Sequence, residues 1–486
     1  MNVSVIIQEI RRRSILAQKY IFCGLLLFTA VVVLFLSTYK ISESPPIWMD
    51  EGIITQVAEN VATQGVNGIQ VAPGEFVSAG FVTTSYVVTY PIALFFNFFG
   101  VGLLQARAVM VLFLFAFFLV AYFLSKQQMQ KTLAILSLLL LASFAPIYGN
   151  GKNVLGEIPG LVFLFAGLLG VGMIERGVRT ITLFVLTGLF FGLCVVTKPI
   201  FILVIPALVV PLYFYRQILL NSPKLWVLAV ASFFVPVLAW LWIQFSGDSF
   251  ANILSIYMDP HSTLSLNSVF GNLKRFVTES QPIYFMVLFV AWLTSFVIRL
   301  QKKSHISYVE TITFLFTALV ILAYVRTIGY YRYFFLGQVM ALMYFPLTLS
   351  VLLNWRIIKR AVYPIITFLI FFQFYQTGFH SWVASYYQGT RTHEVQTYFK
   401  EQSPEQTFFI YQAPEIALFL PVSKYFQYMK VTSTILIGED QLKSIEEGVP
   451  DQIVINSEEY DPKNMLFKKY EEKEVVDRYT ILEKAQ

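Results

Sequence analysis

The sequence predicts a polytopic α-helical membrane protein that ends in a small α/β domain. Of its 486 residues, 57% are hydrophobic and only 13% are charged, whereas an ordinary soluble domain has about 25% charged residues. The apolar residues form blocks close to the ~20 residues that span a bilayer. This composition excludes a soluble enzyme, a disordered chain and a disulfide scaffold, and it places the chain in a membrane.

About eleven segments are apolar enough to cross the bilayer by the ~17–25 residue criterion. The first, residues 21–36, follows a basic cluster and resembles a signal peptide, but no clear small-residue cleavage site follows it, so we expect a retained anchor. The other ten expected spans are residues 105–125, 132–147, 158–174, 181–197, 200–214, 225–245, 283–299, 308–325, 334–353 and 361–380.

Residues 85–99 decide the orientation of everything that follows them. This segment is apolar but short, and it carries Pro91 and Asn97. If it does not cross the membrane, the later loop clusters of Lys and Arg all lie on the same side as Arg11–Arg13, as the positive-inside rule prefers. We therefore expect a juxtamembrane helix within a first outer loop of residues 39–104, with the N-terminus cytoplasmic in a multi-pass cell-membrane protein.

The composition becomes polar after about residue 380. Strand-like runs at 407–411 and 452–455 flank a helix-like run at 441–447, and the segment has about 100 residues, a reasonable size for a folded unit. The sequence thus divides into a membrane domain at 1–380 and a small α/β domain at 381–486. An odd number of spans places the second domain outside the cytoplasm.

The net charge of +6 is a signal of topology and not of nucleic-acid binding. Lys and Arg fall mostly in short clusters between apolar blocks, where they orient the spans. Cys23 and Cys194 both lie inside apolar runs, and no two of the four histidines have the spacing of a helical metal site. These patterns exclude a disulfide framework and a zinc site of the usual kind.

Acidic residues stand at two places on the expected outer face. Asp50 and Glu51 begin an amphipathic helical pattern that ends at Gly65, and Glu157 stands at the mouth of a span ahead of Pro159. A structural role is the alternative for each: Asp50 as a helix N-cap, with Glu51 and Glu157 complementing helix dipoles. A carboxylate close to the bilayer surface equally suits a general base that takes a proton from an incoming hydroxyl or amine.

Basic and tyrosine residues gather on the same expected face. Lys198 ends a span, where a snorkelling lysine is the ordinary explanation, and Tyr333 suits the aromatic belt. Arg326 and Arg332, however, run against the positive-inside bias. The Arg fork and the Lys point charge both suit phosphate oxygens. Acids and cations on one outer face therefore favour a phosphate-bearing lipid as ligand.

A series of motifs in this order resembles the GT-C integral-membrane glycosyltransferases, and within them the protein mannosyltransferase and aminoarabinose transferase branch. The motifs, which cover roughly residues 20–380, are the acid pair, Asn60-x-x-x-x-Gly65, Tyr90-Pro91 ahead of Phe98-Phe99-Gly100 and Arg107, Gly156-Glu157-x-Pro159, Gly192-Leu193-x-x-x-Thr197-Lys198, and Arg332-Tyr333. Each motif is weak by itself, but their order and expected sidedness together are fairly specific.

The resemblance implies an inverting glycosyltransferase that moves a sugar from a polyprenyl-phosphate donor to a lipid, glycan or protein acceptor at the outer face. It assigns the catalytic carboxylate to Asp50, with Glu51 as its neighbour and Glu157 as the second loop acid. It assigns the donor phosphate to Lys198, Arg332 and Tyr333, and the residue reasoning above adds Arg326. Two positions differ from the aminoarabinose branch, because Ile53 and Tyr90 stand where that branch has basic residues, so the donor and acceptor can differ.

Two alternatives stay open at this stage. Some GT-C enzymes use a divalent ion, and the oxygens of Asp50, Glu51 and Glu157 are hard ligands of the kind that Mg²⁺ or Mn²⁺ takes, so both a metal-dependent and a metal-free reaction remain. A transporter or lipid flippase is the competing class. Such proteins tend to carry internal repeats and charges within spans, which this sequence does not show.

Overall fold

The computed structural model describes residues 3–245, 266–327, 329–353, 358–381, 383, 391–403, 405–421, 424–431 and 435–485. Before residue 381 the described chain is almost entirely helical. Its helices are α1 (Val3–Thr38), α2 (Met49–Gln64), α3 (Tyr86–Phe99), α4 (Leu103–Gln128), α5 (Lys131–Ala142), α6 (Ala145–Lys152), α7 (Glu157–Glu175), α8 (Ile181–Thr197), α9 (Val204–Val209), α10 (Arg216–Leu220), α11 (Pro223–Phe245), α12 (Leu266–Thr278), α13 (Ser280–Gln301), α14 (Tyr308–Arg326), α15 (Phe335–Leu352) and α16 (Val362–Phe379).

Eight helices in the described ranges are long and apolar enough to cross a bilayer, the first over Lys19–Thr38 and the others α4, α7, α11, α13, α14, α15 and α16. The bent pair α5 and α6 makes a ninth if it is one span, and α8 and the segment Pro199–Tyr213 are shorter apolar helices. The multi-span helical fold expected from the sequence is therefore confirmed, and every expected span coincides with one of these elements.

Two expected spans are not the continuous helices that hydropathy predicts. Residues 132–147 break into α5 and α6, which meet at 60°, and residues 200–214 form 3₁₀ turns around the single short helix α9. Proline is the physical reason, because its ring and missing N–H disrupt a helix interior but fit a first turn. Pro146 lies in the first turn of α6, and Pro199 and Pro211 lie in the first turns of the two 3₁₀ segments.

The first loop between spans contains its own folded elements. Helix α2 ends at Gly65, whose φ of 70° is the left-handed conformation that glycine adopts at helix ends. A two-stranded hairpin of β1 (Gly68–Ala72) and β2 (Glu75–Ser78) follows. Helix α3 has 14 residues, or about 21 Å, which is shorter than the ~30 Å hydrocarbon core. This length favours the expected juxtamembrane placement.

Helices α7 and α15 form the centre of the helical bundle. In each of these two helices, 78% of the residues in the most apolar stretch are buried inside the protein, whereas in α11 only 11% are buried. Apolar side chains of these two helices belong to one large core that also includes α4 and α14. The peripheral helices present their apolar side chains outward, as lipid-facing helices do.

The C-terminal segment folds as an α/β domain around one sheet. Its elements are α17 (Arg391–Glu401), β3 (Phe408–Tyr411), β4 (Tyr425–Lys430), β5 (Leu436–Ile437), α18 (Leu442–Glu447), β6 (Gln452–Asn456), β7 (Tyr470–Val476) and β8 (Tyr479–Lys484). The strand order is β5-β4-β3-β6-β8-β7, with β3 parallel to β4 and β6 and the other pairs antiparallel. Both expected strands and the expected short helix are present.

This sheet domain, called the outer domain below after the side that the sequence predicts for it, docks on the first loop through a buried polar network. Gln56 of α2 donates to the Tyr425 hydroxyl at 2.8 Å, and Gln427 donates to the carbonyl of Gln70 at 3.2 Å. Gln70 in turn donates to the carbonyl of Tyr425 at 3.2 Å. Because buried polar groups are costly unless they are paired, these mutual bonds specify one docked arrangement.

Candidate active site

A large cavity lies between the first loop, the ends of several helices and the outer domain. Its volume is about 2130 Å³. The polar part of its lining contains four cations and two carboxylates, and the remainder is mostly apolar. The charged lining residues are Asp50, Glu157, Lys198, Arg326, Arg332 and Arg478. A mostly apolar cavity with a few charged groups in its lining suits an amphiphilic ligand.

Asp50 faces this cavity from the first turn of α2. The N-cap of α2 is Trp48 and not Asp50, so the capping role considered for Asp50 does not apply. Instead, the Asp50 carboxylate accepts a hydrogen bond from Nη1 of Arg332 at 2.5 Å. The Asp50 side chain is 30% exposed, so it remains open to a reactant in the cavity.

The neighbouring acid, Glu51, points the opposite way. Its carboxylate forms a two-pronged ion pair with Arg107, with distances of 2.8 Å to Nε and 2.6 Å to Nη2, and it also accepts from the backbone N–H of Val154 at 3.1 Å. Neither side chain of the pair is exposed at all. Arg107 further donates to the carbonyls of Ile41 and Pro45 at 2.8 Å. Glu51 thus ties the first loop to α4 and does not line the cavity.

Glu157 and Lys198 form a second ion pair, at the wall of the cavity. Glu157 begins α7 and Lys198 ends α8, so a short contact between them joins the ends of two helices. Both residues line the cavity. Gly156, which precedes the acid, lies against the backbone carbonyl of Thr197, where a Cβ would approach to 3.0 Å. The glycine therefore permits the close approach that brings the pair together.

Arg332 is held by aromatic rings as well as by Asp50. Its guanidinium lies 5.0 Å from the centre of the Trp48 ring and 5.6 Å from that of Tyr333, both within the range of cation–π attraction. Burial opposes its charge, but the nearby carboxylates of Asp50 and Glu157 outweigh burial and raise the Arg332 pKa. Arg332 therefore stays charged and connects the Asp50 side of the cavity with the Glu157 side.

Arg326 differs from the other lining cations. No described carboxylate pairs with it, and its side chain is exposed at the end of α14. Lys198, Arg332 and Arg478 each have a carboxylate partner. The lining therefore carries a surplus of positive charge, which favours an anionic ligand.

Comparisons with known proteins bear on this fold. The family model of the dolichyl-phosphate-mannose-protein mannosyltransferases matches residues 84–242. The structure of ArnT from Cupriavidus metallidurans bound to undecaprenyl phosphate is similar over 94% of this chain and 98% of that chain, with a TM-score of 0.67 and 13% identity. The chain has the GT-C glycosyltransferase fold.

A second GT-C structure extends the likeness. The archaeal oligosaccharyltransferase AglB from Archaeoglobus fulgidus, in complex with an inhibitory peptide and a dolichol-phosphate, is similar over 91% of this chain and 70% of that chain, with a TM-score of 0.57 and 13% identity. A sequence comparison with curated proteins gives no match. The resemblance to the GT-C family that the motifs indicate is confirmed at the level of the fold.

The three carboxylates of the predicted site each have a cationic partner, which bears on whether they could hold a metal ion. Glu51 is turned away from the cavity, Asp50 is bound by Arg332, and Glu157 is bound by Lys198. In the described part of the chain, no three His, Cys, Asp or Glu side chains are grouped as metal ligands would be. A divalent ion needs several converging oxygens, and these three carboxylates do not converge because each has its own cationic partner, so this donor set does not fit a shared Mg²⁺ or Mn²⁺.

The structure brings together most of the predicted site. Asp50, Glu157, Lys198, Arg326, Arg332 and Tyr333 all line the cavity, and Glu51 is the exception. Sequence reasoning missed Trp48 beside Arg332 and Arg478 from the outer domain. Trp48 stands two residues before Asp50, which is a local signal. Arg478 carries no such signal, because its approach to the cavity depends on how two domains dock.

Proposed function

We propose that the chain is a glycosyltransferase that takes a sugar from a polyprenyl-phosphate donor and passes it, with inversion at the anomeric carbon, to a lipid, glycan or protein acceptor. The observation that carries this proposal is the pairing of an accessible carboxylate, Asp50, with a cluster of cations in one cavity whose remaining wall is apolar. ArnT bound to undecaprenyl phosphate and AglB in complex with a dolichol-phosphate support this donor class.

Each part of the cavity has a chemical role in this reaction. The acceptor oxygen or nitrogen attacks the anomeric carbon and passes its proton to Asp50, acting as general base. The bond from the anomeric carbon to the phosphate oxygen breaks, and the lipid phosphate leaves with the bonding electrons. Arg326, Arg332 and Lys198 stabilise the negative charge that grows on that phosphate, which lowers the barrier more than it tightens ground-state binding.

The apolar wall suits the lipid chain of the donor. Apolar side chains of α13, α14 and α15 also line the cavity, among them Val287, Leu319, Leu322 and Leu336. A polyprenyl chain can move from the bilayer to this wall at little cost in free energy, because both surroundings are apolar. The donor therefore has a place for both its phosphate and its chain within one cavity.

The experiment compares wild-type chain with Asp50→Asn, both purified in nanodiscs and both expressed in cells that lack the chain. Undecaprenyl phosphate is the binding probe, followed by native mass spectrometry. Surface lipids, glycans and proteins from the cells are compared by mass spectrometry for a sugar that depends on the wild-type chain. We expect both forms to bind the probe and only the wild-type chain to add the sugar.

Asp440→Asn is the matched control, because Asp440 is an exposed acid of the outer domain away from the cavity lining. It should behave as wild type in both measurements. A chain that does not bind undecaprenyl phosphate and adds no sugar would contradict the proposed function. Full sugar transfer by Asp50→Asn would remove Asp50 from the role of base.

A further inference from the structure

The tip of one hairpin of the outer domain reaches the turn that carries Asp50. Strands β7 and β8 are joined by the two residues Asp477 and Arg478, with Val476 paired to Tyr479 across the turn. Asp477 has a φ of 55°, as tight two-residue hairpin turns require. This geometry places Arg478 at the point of the hairpin, and Arg478 lines the cavity.

Arg478 connects three groups there. Its Nη2 donates to the backbone carbonyl of Ile47 at 2.6 Å and to Oε1 of Glu415 at 2.6 Å. Its Nε donates to the Tyr479 hydroxyl at 2.9 Å, and that hydroxyl donates to the same Glu415 oxygen at 2.7 Å. Glu415 is almost wholly buried. The guanidinium is therefore fixed by the outer domain while it holds the backbone just before α2.

The outer domain also contacts α2 on the other side of Asp50. A Cβ placed on Gly52 would lie 2.3 Å from the Cα and 2.5 Å from the backbone nitrogen of Glu415. These are backbone atoms that cannot rotate away, so only glycine allows the approach. Glu415 thus touches the first turn of α2 directly through its backbone and touches Ile47 indirectly through Arg478.

We propose that Arg478 and Glu415 are positioning residues that clamp the start of α2 between Ile47 and Gly52 and so set where Asp50 stands in the cavity. The outer domain is then part of the catalytic apparatus. The clamp itself follows from the contacts of Arg478 and Glu415 with Ile47 and Gly52. Only its effect on turnover rests on the proposed function. A misplacement of about 1 Å in a reacting group is enough to cost about 10²-fold in rate.

The first test measures amide hydrogen exchange in the full chain, purified in nanodiscs, for peptides that cover residues 46–55. We expect Arg478→Ala to speed exchange there at least about tenfold, because the carbonyl of Ile47 loses its partner and the turn frays. Lys473→Ala is the matched control, since Lys473 forms an ion pair with Glu483 on the same hairpin but at its exposed face. It should leave exchange at 46–55 unchanged.

A second variant guards against simple unfolding. Arg478→Ala leaves the buried carboxylate of Glu415 unpaired, which destabilises a protein, so the double variant Arg478→Ala/Glu415→Gln removes that charge as well. Slow exchange in β6 shows that the outer domain remains folded in each variant. Wild-type exchange at 46–55 in both variants, with β6 protected, would overturn the clamp.

The last measurement separates positioning from binding. Undecaprenyl phosphate binding should be retained in the double variant, while the sugar transfer seen with wild-type chain falls about 10- to 100-fold. Arg478→Lys should recover part of the loss, because Lys donates one bond where Arg donates several. Wild-type transfer with fast exchange at 46–55 would overturn the positioning role. No transfer by the wild-type chain would contradict the proposed function and leave hydrogen exchange as the test of the clamp.

Discussion

The two adjacent acids at the start of α2 should respond to substitution in opposite ways. Asp50→Asn and Glu51→Gln each exchange a carboxylate for an amide of nearly the same shape, one residue apart. Asp50 is 30% exposed and faces the cavity, whereas Glu51 and its partner Arg107 have no exposed side-chain surface. The structure therefore predicts a loss of activity from the first change and a loss of stability from the second.

The expected magnitudes follow from these environments. Breaking a buried ion pair by removing one partner typically costs about 3–5 kcal/mol of unfolding free energy, which Glu51→Gln should approach because Arg107 keeps its charge. Asp50 and Arg332 are both partly exposed to the cavity, and the Asn oxygen can still accept the hydrogen bond from Arg332, so Asp50→Asn should cost much less unfolding free energy than Glu51→Gln. Loss of a general base lowers turnover about 10²–10⁴-fold, which corresponds to about 3–5 kcal/mol in the barrier.

The assay heats each purified variant in detergent and measures the surviving monodisperse fraction by size-exclusion chromatography, then measures sugar transfer at a temperature where both variants are folded. Glu51→Gln should lose its monodisperse peak at a lower temperature and should retain transfer while folded. Asp50→Asn should keep its monodisperse peak up to the wild-type temperature and should lose transfer. A heat-stable, inactive Glu51→Gln would refute the assignment of Glu51 to structure, and an unstable Asp50→Asn would refute the assignment of Asp50 to chemistry.

Three further predictions concern the donor phosphate, a buried acid of α2 and the topology. Arg332→Lys should recover only part of the transfer that Arg332→Ala loses, because Lys restores charge without the fork; wild-type kcat and donor KM in Arg332→Ala would remove this residue from the site. Burial raises the pKa of Glu59 to about 8 from its ordinary 4.5. Between these two pH values the folded chain holds a proton that the unfolded chain has released. The free energy of unfolding therefore falls as pH rises through this range toward 8. Glu59→Gln should therefore raise the unfolding temperature at pH 8 more than at pH 5, and an equal effect at both would contradict this reasoning. With both native cysteines replaced, a cysteine at Ser78 or Tyr330 should react with an impermeant thiol reagent on intact cells and one at Ser304 should not. Labelling at Ser304 together with protection at Tyr330, with Ser78 still labelled, would mean that residues 85–99 cross the membrane.

Local patterns in the sequence predict most of the charged residues that line the cavity. Asp50 stands at the start of an amphipathic helix, and Arg326 and Arg332 stand where the positive-inside rule makes cations unusual. Their shared cavity could be anticipated because span parity puts the ends of alternate spans on one face of the membrane. The same reasoning could not separate Asp50 from Glu51, since both are acids at the same helix start.

Hydropathy alone determined the class of this protein, the number of apolar segments and the polar outer domain, because burial in lipid is a property of composition averaged over ~20 residues. Only the tertiary structure decided which acid of the pair is buried and which faces the cavity. Successive residues of a helix point about 100° apart, so the packing of α2 against α4 and the outer domain assigns each side chain its side. It also decided that Arg478, more than 400 positions from Asp50 in sequence, lies beside the same turn, because contacts between domains depend on docking that no local pattern encodes.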